Sequence, residues 1–307
     1  MISTHIVEGD MIIGGRRFPL REGLPYLMGI LNVTPDSFSD GGRFLDHEAA
    51  LRHAEKLRLE GADIIDIGAE STRPGYKPVS EEEEKERLCR VIELLKKEVD
   101  CPLSVDTYKA RVMDAALSAG GDMANDIWGF RYEEMHPEEE HSTTMAEVVA
   151  KHGKPVVLMH NDLLGRDEPR RNRDMTVKSG VSDMAVSDPM LRVREGLDRS
   201  LTIARRAGIN MENILLDPGV GFAKSNRESL KILNSLSSIK REGEMWLLAA
   251  SRKSVIGDVL NLPVDQREEG TLVTSILAAE AGFAFVRVHE ISPNLRGLTM
   301  YHAIHHA

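Results

Sequence analysis

The chain of 307 residues contains only two cysteines, Cys89 and Cys101. Neither has a cysteine or histidine neighbour at the spacing of zinc ligands, which argues against both a disulfide framework and a cysteine zinc site. Basic residues are also few, because 39 Lys and Arg stand against 49 Asp and Glu and give a formal net charge of -10. A general nucleic-acid surface would need a basic stripe that displaces counterions from phosphates. Any bound anion must therefore meet a few local cations.

Long apolar runs are missing as well. The first residues, "MISTHIVEGD", have no basic flank followed by an apolar stretch. No run approaches the roughly 18 apolar residues of a membrane span. We therefore expect a cytoplasmic protein, whose 41% hydrophobic content suffices for a large core.

Eight short runs predict strands, and most of them are continuously apolar, which is typical of parallel strands covered on both faces. These runs lie at 26–31, 63–68, 103–106, 122–127, 155–160, 213–217, 246–251 and 284–290. A helical pattern follows each run. The patterns lie at 47–60, 80–98, 108–119, 143–152, 190–208, 226–241, 267–282 and 294–305.

Eight β-α units in succession, without a linker between them, predict one α/β domain with a (β/α)₈ TIM-barrel fold. An open, doubly wound sheet is the alternative. Ahead of the first unit, "THIVEGDMIIGGRRF" carries a hairpin signal. We expect residues 1–24 to form an N-terminal β-hairpin that closes the bottom of the barrel, and residues 25–307 to form the barrel.

Polar residues occupy nearly every predicted strand end. In such a barrel, these ends and the loops after them build the active site. A single polar residue there is usually a cap or a turn residue, but a polar group at almost every end favours a binding site. The ends carry Asn32, Asp66, Asp106, Asn125 with Asp126, His160, Asp217, Ser251 to Lys253, and Arg287 with His289.

One subset suits a flat heterocycle with donors and acceptors along its edge. It consists of Asp106, Asn125, Asp217 and Lys253, which together offer carboxylates, an amide and a cation. A carboxylate accepts two N–H bonds from a guanidine-like edge. An Asp–Lys ion pair that fills the barrel mouth is the structural alternative.

A second subset is cationic and includes Arg73 in "STRPG" and the "RVH" pair, Arg287 and His289. Residues two apart on a strand share a face, so Arg287 and His289 can point at one anion of the phosphate type. In "SRKS", Lys253 takes the inward direction, and a structural ion pair is as good an interpretation for Arg252 as a ligand contact.

These blocks together resemble dihydropteroate synthase, a pterin-binding family of folate biosynthesis. The resemblance rests on "GILNVTPDSFSDGG", "GADIIDIGAESTRPG", "SVDTYK", "NDIWGF", "LMH", "LLDPGVGFAKS", "ASRKS" and "RVH". It implies a TIM-barrel transferase that condenses 6-hydroxymethyl-7,8-dihydropterin diphosphate with 4-aminobenzoate, giving 7,8-dihydropteroate and pyrophosphate, with Mg²⁺ as cofactor. The family also suggests a homodimer, for which the helix pattern at 271–282 is a candidate contact.

The resemblance implies a role for each matching position. The pterin would contact Asp106, Asn125, Met159, Asp217 and Lys253. The diphosphate would contact Asn32, Thr72, Arg73, Arg287 and His289, with Asn32 also in the magnesium shell. The 4-aminobenzoate would contact Phe38, Pro74, Phe222 and Ser254. Catalysis is expected to depend on Asn32, Arg73, Lys253, Arg287 and His289.

A related barrel, the pterin-binding methyltransferase domain that uses methyltetrahydrofolate, is the alternative. It has no diphosphate to bind, so "STRPG", "SRKS" and "RVH" favour the synthase. The chain departs from the family pattern after His160, where residues 161–189 are a surface loop, a substrate lid or an oligomer contact. We expect the segment after Asn32 to cover the arriving 4-aminobenzoate.

Overall fold

The computed structural model of the chain describes residues 10–33, 42–70, 79–139, 141–162 and 188–307, with the backbone alone for residues 42–46. Two short antiparallel strands precede eight parallel strands that form a closed barrel. The strands are β1 (Met11–Ile13), β2 (Arg16–Phe18), β3 (Tyr26–Asn32), β4 (Ile64–Gly68), β5 (Leu103–Asp106), β6 (Met123–Asp126), β7 (Val156–Met159), β8 (Ile214–Asp217), β9 (Met245–Leu248) and β10 (Phe285–Val288). The barrel strands follow chain order, and β10 pairs with β3 to close it. This closure confirms the TIM barrel over the open sheet.

Helices connect the barrel strands and surround them. They are α1 (Gly42–Leu59), α2 (Glu81–Glu98), α3 (Ala110–Ser118), α4 (Tyr132–Met135), α5 (Met145–His152), α6 (Pro189–Arg206), α7 (Asn226–Leu233), α8 (Leu236–Ile239), α9 (Ser254–Leu260), α10 (Glu268–Glu280) and α11 (Ile291–His305). No helix in the described ranges combines the length and the apolar character needed to cross a membrane.

The helices differ from the sequence prediction in several places, one of which is the four-residue helix α4, where no helical pattern was predicted. The single helix expected over 226–241 is wrong, because the chain breaks at Asn234 and Ser235 into α7 and α8. Asn and Ser side chains compete for backbone hydrogen bonds and so weaken a helix interior. Helix α9 was not among the predicted patterns, since its seven residues are too few to show a clear apolar period.

The barrel interior changes from apolar to polar within two residues along four strands. Inward positions alternate along a strand, so residues i and i+2 share the interior face. The lower, apolar residues Ile64, Met123, Leu215 and Phe285 belong to one buried cluster. Two residues further along, the same strands carry Asp66, Asn125, Asp217 and Arg287. The barrel is therefore packed with hydrocarbon below and with hydrogen-bonding groups at the carboxyl ends of its strands.

The N-terminal hairpin packs against the apolar half of the interior. Gly14 and Gly15 join β1 to β2 with φ of 57° and 79°, which suits a tight two-residue hairpin turn. Met11, Ile13 and Phe18 belong to the same buried cluster as the lower barrel residues. The hairpin expected from the sequence is thus present, while the exact division at residues 24 and 25 stays a prediction.

A larger apolar layer lies between the barrel and its helices. The outward residues of the strands pack there against helix positions such as Leu57, Leu95 and Leu197. Burial on both faces explains why the strand sequences are continuously apolar below their last residues. Cys89 and Cys101 are free thiols, as the sequence predicted.

We predict that Phe18→Ala lowers the free energy of unfolding by about 3–5 kcal/mol, because the ring fills the barrel bottom. Its centroid lies 4.9 Å from that of Tyr26 and 5.7 Å from that of Phe285. Urea unfolding measures the loss. The control is Ile12→Ala on the same hairpin, where the side chain is 59% exposed and a small effect is expected. Equal losses in the two variants would contradict the packing role of Phe18.

Candidate active site

A half-buried guanidinium, that of Arg287, joins several strands at the polar end of the barrel. Arg287, on β10, donates from Nε to Asp66 Oδ2 at 2.6 Å and from Nη2 to Asp106 Oδ2 at 2.7 Å. Asn125 Nδ2 on β6 donates to the same Asp66 oxygen at 3.1 Å. Four strands therefore contribute to one hydrogen-bonded network across the mouth. Charge-assisted bonds of this kind hold their side chains in fixed orientations.

Burial and neighbouring charges shift the acid–base equilibria of this network. Burial raises the pKa of Asp106, while the Arg287 guanidinium opposes this rise and the Asp66 carboxylate adds to it. For Arg287, burial favours the neutral form, but Asp66 and Asp106 outweigh that effect and the pKa is raised. The guanidinium is thus fixed in its charged state between two carboxyl groups.

Asp217 forms the other side of the mouth. It ends β8, lies in register with Met159 of β7, and is buried. Its Oδ1 accepts a hydrogen bond from Gly219 N at 2.7 Å. Burial raises the pKa of Asp217, and Lys253 opposes that rise. The backbone of the loop after β8 therefore orients the carboxyl group. Met159 lies beside it on the neighbouring strand.

Lys253 lies between this carboxyl group and an aromatic ring. Its Nζ donates to the Val220 carbonyl at 2.5 Å and lies 4.1 Å from the centroid of the Phe222 ring. Burial lowers the pKa of Lys253 to about 8, although Asp217 and Asp106 favour its charged form. Asp66 and Asp106 pair with Arg287, and Asp217 accepts from Gly219 N. Among the described residues, no salt bridge joins Lys253 to one of these carboxylates, so the Asp–Lys pair that was the structural alternative is not formed there.

The remaining cationic residues, His289 and Arg252, have different partners. Ser251 Oγ lies 2.9 Å from His289 Nδ1 and accepts from the His289 backbone N–H at 3.2 Å. Arg252 donates to Glu290 Oε1 at 2.8 Å, which is the structural ion pair considered for it. Arg287 and His289 thus have different protein partners, although we expected them to point at one anion.

Asn32 and Ser254 lie on the rim of the site. Asn32 is the last residue of β3, is half-buried, and lies in register with Gly68, which in turn pairs with Asp106. Ser254 is the exposed first residue of α9. An amide oxygen at the mouth is a suitable Mg²⁺ ligand. The described residues hold no group of three or more His, Cys, Asp or Glu arranged for a metal.

Four expected site residues, Phe38, Thr72, Arg73 and Pro74, lie outside the described residues, as does most of the 161–189 segment. The two ends that flank residues 71–78 are described. Lys109 Nζ donates to Glu70 Oε2 at 2.6 Å and to the Val79 carbonyl at 2.7 Å. It also donates to the buried Glu84 at 2.6 Å. One ammonium group therefore joins both ends of that segment to helix α2.

Sequence reasoning assigned no role to two groups at this site. Asp66 was recognised only as a polar strand end, although an Asp within the apolar run "DIIDIG" is a signal of inward polarity. Lys224, in "GVGFAKS", was not considered separately. Its amino group is buried and donates to backbone carbonyls of the loop after β8. No spacing rule marks such a lysine, because its partners are carbonyl groups rather than side chains.

Comparisons with known proteins agree with this geometry. Residues 28–289 match a family described as "Pterin binding enzyme". The dihydropteroate synthase of Clostridium beijerinckii is 43% identical over 291 residues, covering 94% of this chain and 97% of that protein.

Solved structures give the same result. A dihydropteroate synthase from Clostridium difficile, determined in the presence of pteroic acid, aligns with a TM-score of 0.78 and 40% identity over 92% of this chain and 98% of that one. The Xanthomonas albilineans dihydropteroate synthase with 4-aminobenzoic acid aligns with a TM-score of 0.83 and 36% identity over 97% and 99% of the two chains. The chain therefore belongs to the dihydropteroate synthase family of pterin-binding enzymes.

Proposed function

We propose that the chain condenses 6-hydroxymethyl-7,8-dihydropterin diphosphate with 4-aminobenzoate, releasing pyrophosphate and forming 7,8-dihydropteroate. The observation that carries this proposal is the polar layer at the barrel mouth, where the Arg287 network and Lys253 surround buried carboxyl groups. Relatives at 43% identity over nearly the full chain support the same reaction. The methyltransferase alternative gains no support from these relatives.

The pterin ring fits the acceptors and donors of the mouth. The Asp217 carboxylate would accept from the 2-amino edge of the pyrimidine, and the Lys253 ammonium would donate to the carbonyl-bearing edge. Asp106 and Asn125 would bind the remaining polar edge, with Met159 against the ring face. A buried carboxyl group without N–H donors is costly, so a ligand that supplies them gains binding energy.

The diphosphate would lie toward the rim. Arg287 and His289 come from β10 and the residue after it, and Asn32 ends the neighbouring strand β3. We propose that Asn32 also holds Mg²⁺ together with the diphosphate oxygens. Bound Mg²⁺ would neutralise charge on the leaving pyrophosphate. Thr72 and Arg73 are proposed to contact the same group.

The reaction needs no nucleophilic side chain. The bond from the pterin methylene carbon to the diphosphate oxygen breaks, and the amine of 4-aminobenzoate forms the new C–N bond and loses a proton. The electron-rich ring can stabilise positive charge on that carbon, which favours an S_N1-like path. The protein would contribute by orienting both substrates and by stabilising the leaving group with Arg287 and His289.

The aminobenzoate would bind beside the Lys253 stem. Phe222 lies in cation–π contact with Lys253 at 4.1 Å, and Ser254 follows Lys253 in the chain. These two residues, together with Phe38 and Pro74, are the proposed contacts. We also propose a homodimer in the cytoplasm, although Thr271, Thr274 and Ser275 of the candidate contact helix are already buried within the chain.

Purified protein incubated with the pterin diphosphate, 4-aminobenzoate and Mg²⁺ should release pyrophosphate and form dihydropteroate. Both products are followed, so that simple hydrolysis of the diphosphate is recognised. The control omits 4-aminobenzoate. Folded protein that releases no pyrophosphate in the complete mixture would refute the proposed function.

Asp66→Asn should weaken pterin binding by about tenfold or more, because Asp66 orients both Arg287 and Asn125. A tenfold loss of affinity corresponds to about 1.4 kcal/mol of binding free energy. Isothermal titration with a pterin measures this. The matched control is Asp63→Asn. Asp63 immediately precedes β4, the strand that carries Asp66, and its Oδ2 accepts from Leu27 N at 2.8 Å. Each variant should lose about 1–3 kcal/mol of stability. Unchanged pterin affinity in Asp66→Asn would contradict its role.

Pterin affinity should fall as pH rises through about 8, because Lys253 has a lowered pKa of about 8 and loses its positive charge and one of its three N–H donors above that pH. The folded lysine is fully charged below that pH, so affinity is retained there. Binding is measured from pH 7 to pH 9.5 in the parent and in Lys253→Arg, whose guanidinium stays charged. A decline that persists unchanged in Lys253→Arg would come from the ligand and would contradict the assignment.

A further inference from the structure

The buried amino group of Lys224 has three backbone partners. Its Nζ lies 2.9 Å from the Gly219 carbonyl, 3.1 Å from the His160 carbonyl and 3.3 Å from the Phe222 carbonyl. An ammonium group has three N–H donors, so each of them has an acceptor. Two acceptors belong to the 219–222 turn after β8, and the third belongs to the residue that follows β7. Lys224 therefore connects this turn to the neighbouring strand.

The backbone at this connection is tightly packed. Gly219 has φ of 66°, and a Cβ there would lie 2.0 Å from the His160 carbonyl oxygen. Gly221 has φ of 81°, and its Cβ would lie 3.1 Å from the Lys253 side chain. The turn is thus pressed against β7 on one side and against Lys253 on the other.

The same turn holds Lys253. The carbonyl of Val220 accepts from Lys253 Nζ, and the ring of Phe222 lies under that ammonium at 4.1 Å. The carbonyl groups on either side of this contact, at Gly219 and Phe222, are the two that Lys224 binds. Lys224 thus holds the flanks of the turn while Lys253 contacts its centre.

The charge of Lys224 makes this arrangement costly, which argues for a role beyond packing. No salt bridge links it to a carboxylate among the described residues, and burial lowers its pKa to about 7. Asp162 and Asp217 favour the charged form, while Lys253 and Arg192 oppose it. A neutral amine donates only two hydrogen bonds, so the three-carbonyl arrangement is complete only in the protonated lysine.

We propose that Lys224 is a positioning residue that fixes the 219–222 turn against β7 and so places the Phe222 ring for the incoming 4-aminobenzoate. This inference rests on the proposed function, since Phe222 and Lys253 are the proposed neighbours of that substrate. The three donors of Lys224 go to carbonyl groups and not to the proposed pterin contacts Asp106, Asn125 and Asp217. Lys253, the fourth pterin contact, belongs to a different turn, whose Arg252 and Lys253 carbonyls accept from Arg267. The two substrates should therefore respond differently to its loss.

The test is Lys224→Met, which keeps an unbranched side chain in the buried space and removes the three donors. The KM for 4-aminobenzoate at saturating pterin diphosphate should rise about tenfold or more, whereas pterin affinity in titration should change less than about threefold. Lys224→Gln can still donate from its amide and should show an intermediate KM. If Lys224→Met does not fold, Lys224→Gln provides the same comparison of the two substrates.

The matched control is Lys240→Met. Lys240 is a half-buried lysine that, like Lys224, donates to a backbone carbonyl, that of Gly282, but at the opposite end of the barrel. It should lose stability without changing either KM. Equal effects of Lys224→Met on both substrates, or none on either, would overturn the inference.

An inactive parent protein would refute the proposed function instead. Crystal structures of the parent and of Lys224→Gln then decide the inference independently. We expect the Phe222 ring to leave its position under Lys253 in the variant. An unmoved turn would overturn the positioning role.

Discussion

One guanidinium, that of Arg287, determines how the polar half of this barrel is built. The interior of an eight-stranded barrel is filled by side chains, so charges placed there must be paired or hydrogen-bonded. Arg287 meets this requirement for Asp66 and Asp106, and Asp66 in turn orients Asn125. The proposed pterin site is the space at the barrel mouth between this network and the side chains of Asp217 and Lys253.

The loops of the mouth are held by buried or half-buried cations that take no direct part in the proposed chemistry. Lys109 joins both ends of residues 71–78, and Lys224 joins the 219–222 turn to β7. Arg192 binds Asp162, which precedes residues 163–187, at 2.9 Å. Each cation is oriented by several acceptors at once, so removing it would leave buried acceptors unsatisfied. Rigid anchors of this kind allow the segments between them to carry substrate contacts.

A net charge of -10 is compatible with binding a diphosphate because a few cations, Lys253 and Arg287 among them, lie at the ends of the barrel strands. Burial lowers the pKa of Lys253 to about 8, which still leaves the amino group charged near neutral pH. An electrostatic contact in such a site is stronger than the same contact in water. The overall charge of the chain therefore says little about the ligands of the mouth.

The sequence by itself determined the eight β-α units, the hairpin, and the strand ends that carry Asp106, Asn125, Asp217 and Lys253, because periodicity and strand polarity are local properties. It did not reveal the break at Asn234, the short helix α9, or the partners of Arg287. Only the tertiary structure decided that Arg287 binds Asp66 and that Lys224 binds three carbonyls, since these contacts join residues 221 and 64 positions apart in the chain. Such pairings depend on which strands become neighbours when the barrel closes.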